Sequence, residues 1–261
     1  MNNKSPLRYP GGKTRACKII EEKLRENCDI SNFTAIVSPF FGGGSFEFYM
    51  QNKYGLKVIG NDKFKPLYTF WQTLKNDKDA LCEEVKKLKS ITKDKFVEYR
   101  NKIMTLDNPL QQAAYYFVIN RCSFSGSTLS GGYSQEAAKK RFTNNSIKAL
   151  ESIDLSRVKF YNLDCVDFIE KKSKDKCLLF LDPPYFLDKK SKLYGNNGDM
   201  HENFDHVKLA DILKTKQNWI LCYNDCDYIK ELYNDFTIIE TSWSYGMNKS
   251  KNSSEILIFN F

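Results

Sequence analysis

"TAIVSPFFGGGSFEFYMQNKYGLKVIGND", residues 34–62, settles the fold class. A short apolar run turns on three glycines, continues through a helix-like stretch, and closes with a second apolar run ending on Asp62. Strand, glycine turn, helix and strand make a βαβ unit, and the two strands of such a unit are parallel. Gly42, Gly43 and Gly44 let the backbone turn tightly and approach a ligand. Ser45 can cap the following helix, whose N-terminus favours an anion. An acid about 20 residues beyond such a turn is placed to accept hydrogen bonds from ribose hydroxyls. The two features together point to an adenosine-containing ligand.

Five more apolar runs follow the same pattern: "VKFYNLD" (158–164), "CLLFLD" (177–182), "NWILCYND" (218–225), "FTIIETSW" (236–243) and "EILIFNF" (255–261). Helix-like stretches lie at 14–27, 45–54, 65–75, 165–172, 205–216 and 226–234. Alternating strands and helices predict an α/β domain with a seven-stranded sheet, largely parallel and covered on both faces. The last two runs are joined by "SYGMNKSKNSS", too short and polar for a crossover helix, so the final strand is expected to return antiparallel and the sheet to be mixed. Residues 76–150 break the alternation. They are helical and basic and end in a glycine-rich loop, which predicts an inserted subdomain between the two parts, 1–75 and 151–261, of the sheet domain.

Composition narrows the function classes. A chain of 261 residues, 41% hydrophobic, can bury a full core. No stretch approaches the roughly 20 apolar residues that span a bilayer, and "MNNKSPLRYPGG" lacks the apolar run of a signal peptide, so an intracellular, cytoplasmic protein is expected. Eight scattered cysteines form no CxxC, which suggests reduced thiols and neither a zinc site nor a disulfide framework. The net charge of +8 favours a polyanionic partner. From 75 to 150 there are 14 Lys and Arg against 8 Asp and Glu, so this segment carries six of those eight charges. The run around Lys86 to Lys95 reads equally well as a solvated helical face. Lys139, Lys140 and Arg141, beside the Gly/Ser-rich "SFSGSTLSGGYS", read better as phosphate contacts.

"CLLFLDPPYF", residues 177–186, places an acid, two prolines and an aromatic at the end of a buried strand. Pro183 and Pro184 cannot continue a ladder, and their fixed φ holds Asp182 and Tyr185 in one relative orientation. A carbonyl in a Pro-Pro segment has no sheet partner and can accept from a ligand. Asp164 in "NLDC" can accept from an exocyclic amine or, equally, cap the helix that begins at Cys165. "PGGKT" at 10–14 is no phosphate-binding P-loop: Leu7 stands where the first glycine is needed, and no strand precedes it.

"DPPY" after a buried strand, "PFFGGGS" near the N-terminus and "RYPGGKT" before it resemble, in that order, motifs IV, I and X of Dam-like (D12 class, alpha group) N6-adenine-specific DNA methyltransferases. "NDKFKPLYTFW", "YYFVINRCSFSG" and "NSSEILIFNF" extend the resemblance over nearly the whole chain. It implies a Rossmann-like class I methyltransferase fold whose inserted helical subdomain recognises the DNA target. S-adenosylmethionine would be the methyl donor, with no metal, and double-stranded DNA the partner. The resemblance also implies a cognate restriction endonuclease acting on the same site, and a monomer as the default state with a dimer as the alternative.

By the same resemblance Tyr9 packs on the cofactor, Lys13 reaches it or the adjacent acid, Phe40 packs against it, Asp62 binds its ribose and Asp164 its adenine amine. Gly12, Pro39, Gly42, Gly43, Gly44, Ser45, Cys165 and Asp182 complete the cofactor set. Ser38 stands where relatives often have Glu, and Cys165 where an aromatic flanks the adenine. Arg8 occupies a DNA-contacting position, and Asn120, Arg121, Ser123, Ser125, Tyr133, Lys139, Lys140 and Arg141 are further candidates. The catalytic set is Asp182, Pro183, Pro184 and Tyr185: acceptors for the two N6 hydrogens, and an aromatic face for a base flipped out of the duplex. His201 and His206, in or near the loop 187–204, read as loop or cap residues, and that loop as a lid. Two other functions compete: methylation of another planar amine (RNA adenine, cytosine N4 or protein glutamine), against which intact DPPY weighs, and a catalytically silent DNA-binding module, against which Lys13, Asp62, Asp182 and Tyr185 together weigh.

Overall fold

The computed structural model describes residues 2–186, 204–244 and 252–261; the side chains of Ser125, Ser244, Asn252 and Ser253 are not described. His201 and most of the expected lid lie outside the described residues. Seven strands form one sheet: β1 (Ala35–Ser38), β2 (Lys57–Asn61), β3 (Val158–Tyr161), β4 (Cys177–Leu181), β5 (Trp219–Asn224), β6 (Thr237–Ser244) and β7 (Asn252–Asn260). Their order is β3-β2-β1-β4-β5-β7-β6. The first five are parallel, and β7 runs antiparallel to both β5 and β6. The expected mixed sheet is therefore observed, with its reversed last strand wedged between β5 and β6.

The apolar runs lack polar alternation because both faces are covered. Ile36, Val58, Leu178, Phe180, Ile220, Leu257 and Phe259 pack into one core. Their neighbours Val37, Leu179, Leu181, Leu221, Ile256 and Ile258 pack into the other. Each strand feeds the two cores with alternate residues, as the pleat requires.

The chain order creates the crevice. From β1 it moves outward through α2 (Ser45–Tyr54), β2 and α3 (Lys65–Asn76) to β3, then returns through α9 (Cys165–Lys172) to β4 on the other side of β1. Ligands collect outside the carboxyl ends of strands at such a reversal. α1 (Cys17–Asn27) precedes this unit, and α10 (His206–Lys214) and α11 (Asp227–Leu232) flank β5.

Between α3 and β3 the chain forms α4 (Lys78–Lys87), α5 (Lys93–Lys102), α6 (Pro109–Cys122), α7 (Gln135–Arg141) and α8 (Asn144–Ser152). Asn108 caps α6 by accepting from Gln111 N at 3.1 Å, and Pro109, which has no N–H to lose, follows it. α6 is buried against α3, with Phe117 stacked on Phe70 at 5.9 Å. Its apolar side chains join the same core as Ile36 and Val58, so these helices share a core with the sheet. On α4 and α5, Lys86, Lys87 and Lys95 pair with Glu83, Glu84 and Glu98 one turn away, the arrangement of a solvated face.

Candidate active site

A cavity of about 630 Å³ opens at the carboxyl ends of β1, β2 and β4. Every residue of the predicted cofactor set lines it: Tyr9, Gly12, Lys13, Pro39, Phe40, Gly42, Gly43, Gly44, Ser45, Asp62, Asp164, Cys165 and Asp182. Pro184 of the predicted catalytic set lines it too.

The glycine turn is held from several sides. Gly42 and Gly44 have φ of 50° and 68°, where only glycine sits without strain. A Cβ on Gly42 would meet the Tyr9 ring at 2.7 Å, and one on Gly44 the Phe41 ring at 2.4 Å. Trp71 Nε1 of α3 donates to Gly42 O at 3.0 Å. The turn is thus a rigid floor with Tyr9 lying on it.

Asp62 follows β2. Its two oxygens accept from the amides of Gly42 (3.0 Å) and Phe64 (2.9 Å), which fixes the plane of the carboxylate. Burial pushes its pKa up to about 6, although both amides favour the charged form. Asp164 behaves as the capping reading expected, accepting from Val166 N at 3.1 Å, and it also pairs with Lys63 at 3.1 Å. Burial pushes its carboxyl up, but Lys63 and the Val166 amide outweigh it and leave the pKa below the ordinary value. Burial pushes the Cys165 thiol up to about 12, so it lines the cavity as a neutral group.

Asp182, the first residue beyond β4, accepts from Lys13 Nζ at 2.6 Å. Lys13 is 3% exposed, and the Asp182 side chain 21%. Lys13 also donates to Gly11 O at 3.1 Å and lies 5.2 Å from the centre of the Tyr185 ring. Burial raises the Asp182 pKa, and Lys13 is the counterweight. A lysine 169 positions away in sequence thus favours the charged form of the carboxylate at the mouth of the strand, against its burial. Among the described residues Asp182 Oδ1 is the engaged oxygen, leaving Oδ2 to accept from a ligand.

The segment carrying Tyr9 and Lys13 also connects the cavity to a basic surface. Arg8 N donates to Asn120 Oδ1 at 2.9 Å, and Asn120 Nδ2 donates back to Arg8 O at 2.7 Å. Arg8, Arg121 and Arg141 crowd one another. Burial, and then Arg141, lowers the Arg8 pKa; burial, and then Arg8 and Arg141, lowers that of Arg121 to about 10. Arg121 is anchored through backbone carbonyls, donating to Arg141 O at 2.7 Å and Pro6 O at 3.2 Å. The positive charge gathered by these three guanidiniums favours an anion. Lys139, Lys140 and Arg141 are exposed on α7, Lys140 pairing with Glu136.

Three residues read from the sequence as DNA contacts are buried or half-buried and make internal hydrogen bonds. Asn120 and Ser123 are fully buried. Asn120 bonds Arg8, while Ser123 Oγ accepts from Thr128 N, so both spend their polar atoms holding the 123–131 loop against the Arg8 segment. Tyr133 is half-buried, and its hydroxyl donates to Ile91 O at 3.2 Å. The Ser125 side chain lies outside the described residues. His206 begins α10, capped by Asp205, with its Nδ1 2.7 Å from Tyr223 Oη.

The structure adds residues that the sequence reading passed over. Phe124, on the glycine-rich loop, is 71% exposed. Tyr116 of α6 and Glu47 of α2 line the cavity. Glu47 is buried, and its pKa is pushed up to about 7 by burial and by the charge of Asp182, against the lowering influence of Ser38 and Lys13. Asn61 bonds Pro39 O and Leu163 O, tying together the loops beyond β1 and β3. Among the described residues no three His, Cys, Asp or Glu are grouped to hold a metal, and no helix is long and apolar enough to cross a membrane.

The reversed seventh strand, the glycine turn and the acids at the crevice define a Rossmann-like methyltransferase fold. Residues 9–247 match the D12 class N6 adenine-specific DNA methyltransferases, and the chain belongs to that family. It is also similar to the Type II methyltransferase M.MjaIII of Methanocaldococcus jannaschii, with 26% identity over 266 residues, covering 91% of this chain and 90% of that protein.

Proposed function

We propose that the protein transfers a methyl group from S-adenosylmethionine to N6 of an adenine flipped out of a short double-stranded DNA site. The observation that carries this reading is the placement of Asp182, charge-paired with Lys13, in the same cavity as the glycine turn and Asp62. The donor set fits this cofactor. A cavity of about 630 Å³ is of ligand size, and Asp62 presents a carboxylate of fixed orientation suited to ribose hydroxyls. Tyr9 and Phe40 offer apolar faces, and Asp164 and Cys165 would hold the adenine end. Gly12, Pro39, Gly42, Gly43, Gly44 and Ser45 would hold the methionyl end.

S-adenosylmethionine supplies a methyl group already activated on a sulfonium. The protein's task is to make N6 a nucleophile, because its lone pair is delocalised into the purine ring. Asp182 Oδ2 and the carbonyl of Pro183 accept the two N6 hydrogens and draw the nitrogen toward tetrahedral geometry. Asp182 also lies where positive charge develops on N6 and can take the proton that N6 loses. Pro183 and Pro184 hold these acceptors in place, and Tyr185 gives its face to the extruded base.

Arg8, Arg121 and Arg141, with Lys139 and Lys140, hold the DNA backbone, which positions the duplex without reading sequence. Asn120, Ser123 and Tyr133 act from within by holding this surface together. Phe124 is suited to insert between bases as the target adenine leaves the stack. Residues 76–150 recognise the site, while 1–75 and 151–261 hold the cofactor and carry the chemistry. Eight cysteines, none in a disulfide, suit a reducing intracellular compartment. A companion restriction endonuclease of the same specificity fits the Type II relative, and a monomer suffices for the site as described. The test is incorporation of tritiated methyl into unmethylated plasmid DNA, followed by nucleoside chromatography. Label in N6-methyl-2′-deoxyadenosine is expected; label in N4-methyl-2′-deoxycytidine, or only in RNA or protein, would overturn the proposal.

A further inference from the structure

The mechanism above leaves a buried acid of the sheet without a role. Glu255 stands near the start of β7, opposite Asn224 of β5 and Thr241 of β6, and is 1% exposed. An apolar side chain at such a position would spare the several kcal/mol of burying a carboxylate. Its neighbours along β7, Ile256, Leu257 and Ile258, are apolar for that reason. Glu255 Oε2 accepts from Tyr185 Oη at 2.5 Å, the length of a charge-assisted O–H···O hydrogen bond.

This bond joins β7 to the catalytic loop after β4. Lys13 Nζ lies 5.2 Å from the Tyr185 ring centre and 5.9 Å from that of Trp243 on β6, and it bonds Asp182 at 2.6 Å. Glu255, Tyr185, Lys13 and Asp182 therefore form a continuous chain of contacts across the carboxyl edge of the sheet. The prolines fix the backbone before Tyr185 but leave its χ1 and χ2 free. A ring that must offer one face to a base needs a second constraint, and an acceptor at its far end supplies it.

We infer that Glu255 is a positioning residue, holding the Tyr185 ring through its hydroxyl in the orientation that receives the flipped adenine. The inference rests on the proposed function, since a ring with no base to receive would need no such hold. Glu255 touches neither base nor cofactor. It acts on the base through Tyr185, so the losses from removing the tyrosine hydroxyl and from removing the carboxylate should overlap.

The experiment is a double-mutant cycle with Tyr185→Phe, Glu255→Leu and the pair together, with Glu255→Gln as the conservative variant. The probe is a duplex carrying 2-aminopurine in place of the adenine that the wild-type protein methylates, its fluorescence reporting extrusion of the base. Methyl transfer and S-adenosylmethionine affinity are measured alongside. Tyr185→Phe and Glu255→Leu are each expected to lower kcat and the 2-aminopurine response about tenfold, the worth of one charge-assisted hydrogen bond. Cofactor Kd should stay unchanged, the double variant should be no worse than either single, and Glu255→Gln should restore most of the loss. Wild-type behaviour of Tyr185→Phe, or losses that multiply in the double variant, would overturn the inference while leaving the proposed function standing. Should Glu255→Leu fail to fold, Tyr185→Phe decides the question alone. A wild-type protein that methylates no DNA overturns both.

Discussion

Replacing Lys13 with methionine removes the cation beside Asp182 while keeping the aliphatic bulk of the side chain. At 2.6 Å and an effective dielectric of about 20, the pair attracts by about 6 kcal/mol. Desolvating a lysine that is 3% exposed offsets much of this. The net worth of a hydrogen bond between charged groups is about 1.5–3 kcal/mol. If the loss falls wholly on the transition state, the rate drops roughly 10- to 150-fold. The pH dependence is the sharper signature. Burial already raises the Asp182 pKa and Lys13 opposes it, so Lys13→Met should raise it further. Because the charged carboxylate is the form that accepts from N6, the acid limb of the rate profile should move to higher pH, and activity lost at pH 7 should partly return at pH 9. The assay is single-turnover methyl transfer across pH with cofactor saturating. A Lys13→Met protein with wild-type rate and an unmoved acid limb would refute the reasoning.

Other residues give separate readouts. Asp62 must be charged to accept fully from ribose hydroxyls, and burial holds its pKa near 6, so S-adenosylmethionine binding should weaken as pH falls through about 6. Asp62→Asn should bind about tenfold more weakly and lose this pH dependence, as calorimetry would show. Arg141→Ala removes an exposed cation of the arginine cluster. It should lower the slope of log affinity for duplex DNA against log salt by about 0.9, leaving Tm unchanged; an unchanged slope would separate this cluster from the DNA. Phe124→Ala removes a side chain that is 71% exposed, so Tm should hold while duplex binding and base extrusion fall by about 1–3 kcal/mol; retention of both would leave Phe124 outside the interface.

Much of the architecture was legible because its signals are local. "TAIVS" and "CLLFL" lie on strands covered on both faces, so their lack of alternation marked them as interior. The polar stretch 244–254 excluded a crossover helix, which fixed the reversed direction of β7, although β7 begins three residues before the apolar run, at Asn252, where polar residues pair with the end of β6. The cavity was legible for a related reason: most of its lining comes in runs, 39–47 and 61–64, that turn at strand ends, together with Tyr9, Pro10, Gly12 and Lys13 of one short N-terminal segment. What stayed hidden depends on contacts between distant residues. Asn120 and Ser123 look like surface polar groups until Arg8, 112 positions earlier, arrives to bond Asn120. Glu47 looks like an acid placed to complement the first turn of α2, and only the packing of Lys13 and Asp182 around it reveals a buried group lining the cavity. The exposure of Phe124 follows from how the 123–131 loop folds back on Arg8, with Gly126 so close that a Cβ would sit 2.5 Å from Arg8 O. No pattern along the chain encodes that approach.

The most direct test of the central claim is single-molecule sequencing of unmethylated plasmid incubated with S-adenosylmethionine and either the wild-type protein or Asp182→Ala. N6-methyladenine at one short sequence with the wild-type protein, and none with a variant that still binds the cofactor, is the expected result. Equal methylation by both proteins would contradict the role assigned to Asp182, and no methylation by the wild-type protein would contradict the function itself.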